Sequence, residues 1–120
     1  ALKMSYAGIT KGLTALGATM MLAATRAGAA ADLAAELRTS QPQLLAWLTR
    51  SVPSMLPKAY RFDGEMSEIA EFIGEPAIGG DIYDGMARLY RTIATDGVSS
   101  QNLTAFVEAA ERLLATDAGR

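Results

Sequence analysis

The 120-residue chain contains neither cysteine nor histidine. The first absence excludes disulfides and thiolate nucleophiles. The second removes imidazole as a base, and together they exclude most zinc sites and every histidine-based triad. No metal centre is expected, and any proton transfer falls to Lys, Tyr, Asp or Glu. A chain without cysteine is at ease in a reducing cytoplasm, the location expected here. An excess of positive charge is also lacking: 11 Lys and Arg face 13 Asp and Glu, for a net charge of −2 and no basic cluster. Binding to nucleic acid needs cations that neutralise phosphates, so it is not expected. Long hydrophobic runs are missing too. The least charged stretch, GLTALGATMMLAAT between Lys11 and Arg26, is shorter than the ~20 residues of a membrane span. No signal-peptide pattern precedes it, and no membrane partner is expected.

What is present is helical periodicity. Half of the residues are hydrophobic and a fifth are charged, a globular composition that suits one domain over residues 1–120. Leu2, Tyr6, Ile9, Leu13, Leu16, Met20 and Ala23/Ala24 recur in steps of three and four, which marks one stripe of a long amphipathic helix. Gly8, Gly12 and Gly17 lie inside it and would let another backbone come close, and Gly28 is its expected stop. A short Ala-rich helix is predicted over residues 32–38. Ser40 is the expected N-cap of the next, with Pro42 in its first turn. Pro53 and Pro57 are expected to break that helix, leaving PKAYRFDG as a turn or linker. Met66, Ile69, Ala70 and Ile73 then form a stripe closed by Gly74 and Pro76, with AIGG as a turn. Ile82, Met86, Leu89 and Ile93 form another stripe that ends at Asp96-Gly97. Leu103, Phe106, Val107, Ala110 and Leu114 form the last, capped by Ser99-Ser100. No period-two run of β-branched residues occurs, so the expectation is an all-α bundle of about six helices with a long first helix.

Few residues invite chemistry. The glycines form neither a dinucleotide fingerprint nor a P-loop. Glu65 and Glu68 flank the apolar positions Met66 and Ile69 and are expected on a solvated face. Tyr83 and Tyr90, seven apart, are expected at the core edge with their hydroxyls outward. Trp47, among Leu44, Leu45 and Leu48, is expected in the core or in a subunit interface. In the opening helix, Lys3, Tyr6, Ala7 and Thr10 share a side, with Lys11 next to Ala7. A lysine whose amine is partly desolvated there could serve as a general acid or base.

The segments LKMSYAGITKGLTAL and SQPQLLAWLTRSVPSMLPKAYRFDGEMSEIAEF resemble the C-terminal helical domain of the 6-phosphogluconate dehydrogenase-like, or β-hydroxyacid dehydrogenase, superfamily. The branch it resembles most is a phosphogluconate dehydrogenase C-terminal domain of NAD-binding type. The resemblance implies an N-terminal Rossmann domain ahead of this chain that binds most of an NAD or NADP cofactor. It implies an α-helical domain that completes the active site and builds a homodimer, with the apolar faces around Trp47 and of the long first helix expected to make the subunit contact. Activity is then expected from the two domains together and not from this one alone. By the same resemblance Lys3 is the acid/base on the hydroxyl of a small hydroxy-acid-like substrate, and Ser5, Tyr6 and Thr10 line the pocket. The family's motif K-x-x-x-N departs here, because Ala7 stands where its Asn would be. The rival expectation is a non-catalytic helical module that dimerises through its apolar stripes.

Overall fold

A computed structural model describes residues 1–75 and 77–118. Six α-helices follow one another: α1 (Leu2–Arg26), α2 (Ala30–Ser40), α3 (Pro42–Met55), α4 (Ala59–Ile73), α5 (Ala77–Thr95) and α6 (Gly97–Ala118), with one 3-10 turn, Leu56–Lys58, between α3 and α4. No strand occurs among the described residues, and none of their helices is long and apolar enough to cross a membrane. The all-α bundle expected from periodicity is the fold observed. One cluster of buried apolar side chains draws on all six helices, including Ala18, Ala34, Leu45, Met66, Tyr90 and Leu103.

The long first helix forms as expected, and most of its apolar stripe faces outward. Leu2, Tyr6 and Ile9 are 83%, 68% and 69% exposed, and Leu16 and Met20 are exposed as well. The core is met instead by the small side, Gly8, Gly12, Thr14, Ala15 and Ala18, with Met21. Large side chains there would hold the neighbouring helices away, so burial goes to the narrow face. Side chains, not another backbone, use the glycine gaps. A Cβ on Gly8 or Gly12 would lie 3.2 Å from the Tyr83 hydroxyl oxygen, and one on Gly17 would lie 2.6 Å from Leu48 Cδ2. Gly28 ends α1 as expected, at φ +76°, a backbone conformation that favours glycine.

Several boundaries differ from expectation. Ser40 is not a cap: its hydroxyl donates to the Glu36 carbonyl at 2.8 Å in the last turn of α2, and Gln41 precedes Pro42 at the head of α3. Pro53 does not break α3, which runs on to Met55. It forgoes the one ladder bond its missing N–H would make to the Thr49 carbonyl, and buried Val52 and Met55 pin the chain on either side. PKAYRFDG is not a linker. From Ala59 it is the first part of α4, because Ala59 and Phe62 start the buried stripe that continues at Met66 and Ile69. AIGG is not a turn either but the opening of α5. Its glycines serve close packing, since a Cβ on Gly80 would lie 3.5 Å from the Ala70 carbonyl oxygen and one on Gly79 would lie 3.0 Å from Ile73 Cγ2. Gly74, at φ +65°, closes α4 as expected, whereas Pro76 lies outside the described residues. Pairing of residue 70 with 80 and of 63 with 91 makes α4 and α5 an antiparallel hairpin. At the head of α6 the cap is Asp96, not Ser99-Ser100. Its carboxylate accepts from the Val98 amide at 3.0 Å and the Ser99 hydroxyl at 2.8 Å. These bonds favour the ionised form and hold the Asp96 carboxyl below its ordinary range.

Candidate functional site

The α4–α5 hairpin is fastened to α1 by three polar side chains. Tyr83 donates its hydroxyl proton to the Gly8 carbonyl at 2.8 Å, and Tyr90 donates to the Lys11 carbonyl. Both hydroxyls therefore point inward, not out to solvent as expected. The glycine and alanine side of α1 makes room for the rings. Tyr90 is fully buried, and its phenol is held well above the ordinary value by burial and then by the nearby Glu65 carboxylate. Its ring meets that of Phe62 edge to face, with centroids 5.3 Å apart. Lys11 supplies the third tie: its ammonium lies 3.0 Å from Glu65 Oε1 and 4.6 Å from the centre of the Phe62 ring. Glu65 is thus half-buried and paired, a correction to the expected solvated face, while Glu68 is exposed as expected. The second oxygen of Glu65 is buried without a partner.

Beside these ties, α1, α3 and the start of α4 enclose a cleft of about 220 Å³. Its walls carry Thr10, Lys11 and Thr14 from α1, Trp47, Ser51 and Ser54 from α3, and Lys58 and Phe62 beyond. Two of its hydroxyls are committed as donors, Thr10 to the Tyr6 carbonyl and Thr14 to the Thr10 carbonyl. Ser51 is different: its hydroxyl oxygen is buried and has no hydrogen-bond partner. Trp47 is half-buried against the core and lines this cleft.

Of the residues expected at the site, Lys3 is exposed on the first turn of α1 and has no ion pair or hydrogen bond among the described residues. Any desolvation of its amine must come from a second surface closing over it. Thr10 lies two turns on, on the same side of α1 as Lys3 and Ala7, and forms part of the cleft. Tyr6 is adjacent and exposed. Ser5 is not brought to this side. Two residues from Lys3 it points about 160° away round the helix, and its hydroxyl donates to the Ala1 carbonyl at 2.8 Å. Among the described residues no group of three acidic side chains converges as metal ligands would. The cleft residues outside α1 were missed in the sequence although a signal exists. Trp47, Ser51, Ser54 and Lys58 are spaced by four, three and four, one side of a helix, and reading residues 57–64 as a turn separated Lys58 from the rest.

A family model described as a domain of unknown function (DUF1932) matches residues 24–93. That span includes α2, α3, α4 and nearly all of α5, and it begins beyond Lys3. No curated protein and no solved structure matches the chain.

Proposed function

The chain belongs to the DUF1932 family, and on that premise we propose that it is the substrate and dimerisation domain of a two-domain NAD(P)-dependent dehydrogenase acting on a small hydroxy acid. The observation that carries this reading is the placement of Lys3. It is an exposed amine, without a partner among the described residues, at the head of the longest helix and on the side that leads down to the cleft at Thr10. The resemblance to β-hydroxyacid dehydrogenases supports the same role. The described residues of this chain offer no glycine-rich turn to cradle a dinucleotide pyrophosphate, so that binding belongs to a Rossmann domain outside it. The nicotinamide supplies the hydride chemistry when bound. This chain's part is the proton: Lys3 Nζ takes it from the substrate hydroxyl on oxidation and returns it on reduction. Tyr6 and Thr10 flank the reacting group.

In the intact enzyme Lys3→Ala lowers turnover by about 10²-fold or more while leaving cofactor affinity unchanged. Steady-state kinetics with a panel of short hydroxy acids checks this, and wild-type turnover in the variant sinks the assignment. A second reading has its own observation. The outward stripe of α1, from Leu2 to Met20, is an apolar face longer than scattered surface leucines would make. It supports a homodimer in which a second copy covers that face, whether or not the chain is catalytic. Sedimentation of the wild type and of an Ile9→Glu variant separates the two roles.

A further inference from the structure

We propose that the cleft between α1, α3 and α4 is an anion subsite that takes the carboxylate or phosphate head of an acidic small molecule. Much of its lining is apolar, from Trp47, Met55 and Phe62, and its polar groups are hydroxyls, the Trp47 indole and two lysines, with no acid among the described residues. Lys58 and Trp47 present an ammonium and an indole N–H, neither of which has a partner among the described residues. An ammonium and an indole can donate but cannot accept. Ser54 also has no partner there, and the Ser51 hydroxyl is buried and unsatisfied. Lys11 has spent only part of its ammonium on Glu65 Oε1. No carboxylate lines the cleft. Glu65, the nearest acid in contact with a lining residue, cancels one of the two lysine charges and leaves the other, so the cavity keeps a positive balance.

A buried hydroxyl without a partner costs about 1–3 kcal/mol, and a turn about the Ser51 Cα–Cβ bond would bring this closed-off oxygen to a ligand in the cleft. A ligand rich in acceptors, with negative charge and little bulk, matches the chemistry of these groups. The cleft, about 220 Å³ and open to solvent, admits such a head group and a few carbons. Thr10 and Lys11 stand seven and eight residues after Lys3, about 11 Å along the helix axis. The subsite thus deepens the dehydrogenase reading, on which this step alone rests: the substrate is an extended acid, its charged end in the cleft and its carbinol toward Lys3.

Trp47 is the chain's one tryptophan, so its fluorescence reports the cleft without a label. The test is titration of the chain with inorganic phosphate and, separately, with glutarate at constant ionic strength. A saturable change in Trp47 emission is expected with at least one of them, and the tighter of the two identifies the head group. Ser51→Ala and Lys58→Ala are each expected to weaken that midpoint about tenfold or more, the scale of a hydrogen bond to a charged group. Ser51→Ala removes an unpartnered hydroxyl, so its melting temperature is expected to equal or exceed the wild type's. A folded variant with unchanged binding cannot then be blamed on unfolding. No saturable response to either anion, or a response that both variants retain in full, overturns the proposal. Lys3→Ala keeps wild-type anion binding if the subsite is real, and so the failure of either assignment is distinguishable from that of the other.

Discussion

The two sides of α1 invert the usual order of a surface helix. On the inner side Gly8, Gly12, Ala15 and Ala18 are buried, and on the outer side Leu2, Tyr6, Ile9, Leu16 and Met20 are exposed. Ordinarily the large apolar residues go in and the small or polar ones go out. Here closeness matters more than area on the inside. Narrow residues let Tyr83 and Tyr90 reach the carbonyls of Gly8 and Lys11, and they seat the α4–α5 hairpin against the helix. The outer side keeps its area for something else. That outer side is the face the proposed homodimer would cover.

Three measurements would break or sharpen that contrast. The largest effect is expected on the inner side. Ala18 is fully buried, and Ala18→Leu should cost about 1–3 kcal/mol by overpacking, read as a lower urea midpoint. A neutral result would mean that the small face is not closely packed. A smaller effect concerns the buried phenol. Its pKa is raised in the fold, so the stability it confers is fully present below its ordinary value of 10.0 and is lost as pH rises from there. Above that point the unfolded chain releases a proton that the folded chain retains, and stability falls by up to about 1.4 kcal/mol per pH unit. Tyr90→Phe removes this share of the alkaline slope, and thermal melts of both proteins at rising pH check it. Least affected should be the fold after Leu16→Ala. Its stability should stay within about 0.5 kcal/mol in dilute solution while self-association weakens, as sedimentation would show.

Reading the sequence located the helices better than their ends or their orientation. The stripes of α4, α5 and α6 announced themselves because Met66 and Ile69, Met86 and Ile93, and Leu103 and Phe106 all face one core. On α1 the apolar spacing marked a face but not what covers it, and the side buried within the chain is that of Gly8, Gly12, Ala15 and Ala18. Proline and glycine misled for a related reason. Pro53 near a helix end, Gly64 in open space and Gly79-Gly80 against α4 are all helical, since local preferences of about 1–3 kcal/mol yield to burial of the residues beside them. Cap choice was equally local: Asp96, Ser99 and Ser100 are all acceptable cap residues, and packing decided which one took the position.

Of the candidate site, Lys3 and Thr10 were legible on one side of one helix. The cleft they lead to was not, because its remaining walls come from residues 47–62 and needed the fold of α3 onto α1 to be seen. The sequence by itself determined that the chain is helical and that it has no imidazole or thiol chemistry, since both follow from residue type and spacing alone. Only the tertiary structure decided which face of α1 is buried, that both tyrosine hydroxyls turn inward, and that Lys11, Ser51 and Lys58 share a cavity. Those are properties of approach between distant segments, set by side-chain size and by the need to satisfy buried polar atoms, and no local pattern encodes them.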